Sequence, residues 1–468
     1  MEEMNLTPLK RSVLVDPPSF GRMVGPSFIL LGLGLGIGEL ILWPYLTASY
    51  GLGIIWGAVA GITMQLFINL EISRYTLVTG ESVFVGLSRK LGKVIPIWFI
   101  VSTILPWMWP GIVLSGSRLL TAGLGWGRSD LVGVVALLLI GAILSLGPVL
   151  YGTQEKLEKV LLIFGVPFVL GVSWWLATKT GVTDLAFGLM GKGKGYWFFP
   201  VGLQASAFLG AIVFSGAGGN LNLGQSQNIK EKGYGMGHGS GRITSLLTGS
   251  KEEIGLTGKD FEVNSRSLTI FTKWWKLTNL EQGLIFWTMG VITMISLSLL
   301  AYETIYGKTG GLSGVDFVIA EAGIIGQQTS WLIGRAFLIV LGLMLFATQL
   351  SVLGTTGKIL AENWAVLNYN KFESDKLPKY FYGLLWSQIG LMLAVLALGF
   401  KEPLQLVLVS AVLNAWTMVI YSILILWLNT TSLHSKLRPT KWRRGVITLT
   451  IVFLTVFGLL TLKQTFGR

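Results

Sequence analysis

The chain has 468 residues, 52% of them hydrophobic and only 13% charged, with 18 Trp and 61 Gly. Apolar runs of about 20 residues recur throughout, each long enough to cross a hydrocarbon core of roughly 30 Å as a helix, which excludes a soluble domain. The net charge of +13 would suit a nucleic-acid partner in a soluble protein, but loop asymmetry accounts for it here, and the lack of Cys excludes disulfides, thiolate ligands and thiol nucleophiles.

Residues 1–23 are polar, carry Lys10, Arg11 and Arg22, and lack the apolar stretch and cleavage site of a secretory signal. They read as a cytoplasmic segment, with the first membrane helix serving as its own insertion signal. Eleven membrane helices follow, making an all-α integral membrane protein. The first six are expected at about Val24–Ala48, Leu52–Leu70, Ile95–Leu120, Leu131–Leu150, Val160–Ala177 and Val201–Ile229. Five more are expected at about Gly283–Tyr306, Trp331–Gly357, Tyr380–Gly399, Pro403–Leu428 and Gly445–Leu462. With the amino terminus in the cytoplasm, most of the 36 Lys and Arg residues fall in inside segments, and the odd helix count puts the carboxyl terminus outside. A multi-pass protein of the cell membrane is the expectation, with the lipid bilayer as its surroundings and no nucleic-acid partner.

Leu35-Gly36-Ile37-Gly38-Glu39 places two glycines and a carboxylate inside the first apolar run. An ionisable group at membrane depth is a functional-site hypothesis by default. A helix interrupted there frees backbone groups, which is tolerated only where they line a cavity. The residue after the break opens a new half-helix whose positive dipole end favours an ionised Glu39.

In the second and third spans, Glu71 is expected to end a helix beside Arg74 as an interfacial ion pair. Pro106-Trp107-Met108-Trp109-Pro110 predicts a kink or break, because proline removes a backbone donor. Its aromatics are candidates to wall a cavity. Arg118 and Arg335, near helix ends, are expected to snorkel to the interface. Gln65, Asn69, Gln349 and Asn414 lie in apolar segments, where most amides hydrogen-bond between helices. Gln349 is the one placed as a neighbour of the site.

The sixth span carries a second interruption, Ser215-Gly216-Ala217-Gly218-Gly219-Asn220. Three glycines in four positions each cost about 1 kcal/mol relative to Ala in a helix interior, so something must require them. The two breaks lie five helices apart, and five is odd. They therefore enter the membrane from opposite sides, which predicts two inverted five-helix halves, residues 24–177 and 201–428, with 445–462 as an added helix. Interrupted segments at matching positions of inverted halves point to the binding site of a secondary transporter. Close helix packing is the other use of such glycines.

The substrate-binding set read from the breaks is Gly36, Gly38, Glu39, Ser215, Gly216, Ala217 and Asn220, with Gln349 beside it. Glu39 offers hard oxygens and is the candidate metal ligand, while Ser215, Asn220 and Asn222 add neutral polar groups. No Cys, His or Met lies within either break, and oxygen-only ligation suits Mg, Ca or Mn. Residues 230–282 form the longest connection, a cytoplasmic loop in which Leu268–Leu277 is expected to be a short amphipathic helix on the membrane surface. His238 and His434 both fall in loops.

Gly25-Pro26 with the first break, and SGAGGNLNLGQSQNIKEKGYG over residues 215–235, resemble the Nramp divalent-metal transporters and their relatives. The resemblance spans the helical core. It implies the LeuT-like inverted-repeat fold of the APC superfamily, helices one and six broken, and alternating access. Counted from Gly25-Pro26, the family's Asp-Pro-Gly-Asn motif falls on Gly36-Ile37-Gly38-Glu39, so the Asp ligand has become Gly36 and Glu39 stands at the Asn ligand's position. The family's Met-Pro-His falls on Ala217-Gly218-Gly219, aligned by Asn220-Leu221. The thioether that selects transition metals is thus absent, as is the His linked to proton movement.

Two functions remain open from the sequence. One is a secondary transporter for a hard divalent cation, with or without coupled protons. The other keeps the fold and carries a small organic solute or amino acid, with Glu39 as a proton acceptor. No cofactor is expected. A membrane enzyme would show a His, Asp or Glu cluster at a membrane face, and the sequence has none.

Overall fold

The computed structural model describes all residues except 1–3, 5, 247–248, 250–251, 309–310, 313, 401 and 467–468. Among the described residues, nine helices are long and apolar enough to cross a membrane. They are Leu52–Thr79, Val94–Leu124, Ser129–Leu146, Leu150–Leu176, Ser265–Ile305, Trp331–Leu367, Lys376–Ala397, Leu404–Ser432 and Lys441–Gln464. Two further passages are interrupted. Pro26–Gly34 and Gly38–Tyr50 meet at a bend of 43° and form the first span. Ala205–Val213 and Gly224–Lys232 flank an unwound stretch and form the sixth.

Sequence and burial agree on which spans are central. The first half-helix, Pro26–Gly34, is buried at eight of its nine residues, and a helix apolar all round belongs inside a bundle. On the outer spans, large apolar side chains stay open: Phe164 is 72% exposed and Leu449 64%. A contiguous apolar exterior of this kind fits lipid.

The start of the first half-helix is capped from the seventh span. Pro26 has no N–H to satisfy, and the amides of Gly25 and Ser27 both donate to Glu281 Oε1, at 3.0 and 3.1 Å. The carboxylate sits at the positive end of the half-helix dipole.

Several elements differ from the sequence expectation. The second span runs to Thr79, so Glu71 lies within the helix, and its partnership with Arg74 is buried. Arg74 Nε donates to it at 2.6 Å, Arg443 lies 3.4 Å away, and Asn429 donates to its carbonyl at 2.8 Å. This cluster ties the second, tenth and eleventh spans together. The expected surface helix at Leu268–Leu277 is part of Ser265–Glu281, which continues through a π-helical turn, Gln282–Thr288, into Met289–Ile305. Trp274 is buried against Tyr234, and Trp275 packs under the guanidinium groups of Arg74 and Arg443, so this stretch is packed on protein. Arg118 reaches Glu402 at 3.5 Å, and the Arg335 guanidinium lies over the Trp331 ring. The third span does break at its prolines: helix ends at Trp107 and resumes at Gly111.

At the end of the bundle where residues 230–282 lie, the chain ties itself down. Lys10–Arg11 pairs in parallel with Lys259–Asp260. Buried Lys358 donates to Asn228 at 2.7 Å and Glu231 at 3.1 Å, and Lys232 meets Glu155 at 3.1 Å.

The two interrupted spans touch through glycine. A methyl group at Gly38 would overlap the backbone of Phe214, and one at Gly34 would come within 3.2 Å of Gly216 Cα. Gly38→Ala is therefore expected to destabilise the fold by about 1–3 kcal/mol, the cost of overpacking. Gly283→Ala, which meets nothing within 4 Å, serves as the neutral comparison. Thermal unfolding of both variants checks this, and equal melting temperatures would refute the contact.

Candidate functional site

Both interruptions leave backbone groups unpaired in the middle of the bundle, and each is braced by a side chain from another span. In the first, the Gly36 amide turns to Gly34 O at 2.6 Å and abandons the carbonyl four residues back. Thr348 Oγ1, on the eighth span, donates to Gly32 O at 3.1 Å and shares its position with Leu35 O at 2.8 Å. The helix then restarts as a π-helical turn, Gly38–Leu42.

In the sixth span, Gly218 and Gly219 have φ of +72° and +50°, a left-handed conformation that suits glycine. Gln65, on the second span, donates its amide to Val213 O at 2.9 Å and Ile212 O at 3.3 Å. Its own oxygen accepts from the Gly218 amide and from Asn222 Nδ2, each at 3.1 Å. One amide thus satisfies carbonyls before the break and donors after it. Such bracing is what irregular backbone at membrane depth requires.

Between the breaks lies a small pocket, with room for little more than a water molecule. Gly34, Gly36, Gly38 and Gly216 contribute backbone to it, and Trp107, Trp109 and Phe214 form its aromatic wall. Thr348 and Ser410 supply its hydroxyls, and Leu406 and Val407 close it from the tenth span. These last residues lie near the Pro403 end of their helix, whereas Asn429, at the other end, joins the Glu71 cluster. The pocket therefore occupies the half of the bundle away from the 230–282 loop, and the ion pairs around Lys358, Lys232 and Glu71 lie in the other half.

Of the residues singled out in the sequence, Gly36, Gly38 and Gly216 line this cavity; Glu39, Ser215, Ala217, Asn220 and Gln349 do not. Glu39 is fully enclosed, and neither carboxylate oxygen has a hydrogen-bond partner. It lies between the first and seventh spans, where methyl groups at Gly34 and Gly290 would come within 3.4 and 3.2 Å of Oε1. Ser215 accepts from Trp43 Nε1 at 2.7 Å and donates to Ala211 O. Asn220 donates to Ser102 and Thr103 at 2.9 Å. Gln349, one residue past Thr348 and so about 100° round the helix, faces Met392 on the ninth span. Among the described residues, no group of three or more His, Asp or Glu side chains is placed to hold a metal.

Sequence reasoning missed Thr348, Ser410 and the bracing role of Gln65. Hydroxyls in apolar helices are common, so Thr348 and Ser410 carried no signal of their own. Gln65 did stand out as an intramembrane amide, but only the fold shows that it faces the sixth break.

No family model matches the sequence, and no curated protein does. Solved structures do match. A mutant of the Eremococcus coleocola manganese transporter superposes with a TM-score of 0.68 at 14% identity, covering 99% of this chain and 91% of that one. The same transporter in complex with an aromatic bis-isothiourea substituted compound gives 0.67 at 13% identity, with the same coverage. A nucleobase-cation-symport-1 family transporter, in a closed conformation with bromovinylhydantoin bound, gives 0.55 at 15% identity over 95% of this chain and 92% of that one. The chain shares the fold of these membrane transporters at 13–15% sequence identity.

Gln65→Leu should leave the Ile212 and Val213 carbonyls and the Gly218 amide without their partner, at about 1–3 kcal/mol for each buried group stranded. A marked fall in melting temperature is the expected outcome. An unchanged melting temperature would show that the sixth break does not depend on Gln65.

Proposed function

We propose that the chain is a secondary-active membrane transporter of Nramp-related type, working by alternating access, with a divalent metal cation as cargo. The observation that carries the reading is Glu39. A carboxylate fully enclosed beside two interrupted helices, with no hydrogen-bond donor and no ion pair among the described residues, is costly unless a positive charge compensates it. Backbone carbonyls freed at such breaks are the usual complement to a carboxylate in binding a cation. Oxygen-only surroundings favour a hard ion, Mg or Mn, over Cu or Zn. The fold supports the same reading, since its solved neighbours are transporters and one is named for manganese.

Access follows from the asymmetry of the bundle. Cargo enters from the side of the cavity, and the ion pairs around Lys358, Glu231, Lys232 and Glu155 must part for it to leave on the other. With the amino terminus and the 230–282 loop in the cytoplasm, the cavity faces outward and the carboxyl terminus lies outside. For cargo to reach Glu39, the first half-helix must shift, because the carboxylate lies behind the cavity wall.

A second reading has its own observation. The pocket wall is predominantly apolar and aromatic, with Thr348 and Ser410 its hydroxyls among the described residues, a chemistry that suits a small organic solute in a more open state. Glu39 then acts as a proton acceptor.

Calorimetric titration of Mg, Mn and Ca into the purified protein separates the two. Saturable binding that Glu39→Gln abolishes is the expected result and ranks the ions. Folded protein that binds none of the three would refute the metal cargo and leave the organic solute.

A further inference from the structure

The connection between the sixth and seventh spans is fastened on both sides of a line along which the bundle must part. If the pairs of Glu231 with Lys358 and of Lys232 with Glu155 separate, the end of the sixth span moves away from the fifth and eighth. Residues 240–245 belong to the far side of that line. The Ser245 amide donates to Pro148 O at 3.2 Å and its hydroxyl to Ser145 O at 2.7 Å, while the Leu150 amide donates to Ile243 O at 3.1 Å. Ile243, Ile254 and Leu256 are all buried on that side, in one apolar cluster with Leu150, Ala361 and Leu377.

The same connection is also held from the near side. Lys230, two residues from the end of the sixth span and buried, donates to Gly255 O at 2.7 Å and Leu256 O at 3.1 Å. The Gly258 amide donates at 3.3 Å to Glu81, which lies buried just past the second span. Residues 240–245 and 252–260 act together, because Glu252 accepts from the Arg242 amide at 2.8 Å and its guanidinium at 2.7 Å, and the Gly255 amide donates to Ser240 O at 3.3 Å. The two attachments differ in kind. Three apolar side chains hold the far side, and pulling them out exposes them to water. An ammonium on a flexible stem holds the near side, and water can take over its bonds to two carbonyls. Lys230 is therefore the attachment that yields when the sixth span moves.

We propose that the connection is a strap across the loop end of the bundle, with Lys230 as its catch, and that release of the Gly255 and Leu256 carbonyls lets that end open. The inference rests on the alternating-access reading.

The chain has no cysteine, so a single introduced thiol reports access without background. Thr355 is fully buried where the eighth span meets Gly224 of the sixth, and Ser410 lines the pocket in the opposite half. The rates at which a charged, water-soluble maleimide labels Thr355→Cys and Ser410→Cys are measured in the full-length protein in detergent, with and without Lys230→Met. Losing two bonds to an ammonium should speed labelling of Thr355→Cys about tenfold and slow that of Ser410→Cys. Leu256→Ala loosens the strap from its apolar side and should act in the same direction; it decides if Lys230→Met does not fold. Faster labelling at both positions would mean general loosening and would overturn the strap, as would an unchanged rate at Thr355→Cys in the folded variants. Faster labelling at Thr355→Cys with no change at Ser410→Cys upholds the strap and counts against alternating access, so the two fail separately.

Discussion

Unwinding a helix where water cannot reach is the constraint from which the rest of this structure follows. Each interruption strands carbonyls and amides that lipid or apolar side chains cannot satisfy. The chain meets this with two polar side chains from intact helices, Thr348 for the first break and Gln65 for the sixth. Both braces reach their targets because the interrupted helices are buried at the centre and ringed by unbroken ones. The glycines serve the same arrangement from the other side. With Cβ atoms at Gly34 and Gly38 the two unwound segments could not meet, and the cavity would lose its backbone wall.

Charge is distributed to match. At the loop end, carboxylates and cations occur together: Glu71 with Arg74 and Arg443, Glu155 with Lys159 and Lys232, Glu231 with Lys358. Deeper in, Glu39 has no basic partner among the described residues. Buried pairs of complementary charge are held by geometry and neighbouring hydrogen bonds and need nothing from outside. A lone buried carboxylate lacks that compensation, and at membrane depth it is the default candidate for a functional site.

Much of this could be read from residue order. The spans, the two breaks and the proline interruption in the third span all follow from local patterns, because apolar length, glycine and proline act on the chain within a few residues. The extent of the helices was less legible: the second and seventh continue past their apolar cores because Glu71, Arg74 and Trp274 are buried, and Trp275 half-buried, by partners distant in sequence. The cavity wall was legible only in part. Gly36, Gly38, Gly216 and the paired tryptophans announce themselves, whereas Thr348 and Ser410 resemble any hydroxyl in an apolar helix until the fold turns them inward.

The helix from Ser265 to Ile305 has 41 residues and is long enough, at about 1.5 Å per residue, to run the depth of the bundle and beyond. Near its middle, Glu281 holds the start of the first half-helix, and Gly290, about two and a half turns on, leaves the space into which Glu39 fits. Between the two lies the π-helical stretch Gln282–Thr288, so the anchor and the space for Glu39 sit on either side of an irregular segment of the same helix. One helix thus fixes the start of the first half-helix and shapes the space around Glu39, so a change at either place is felt through the same element.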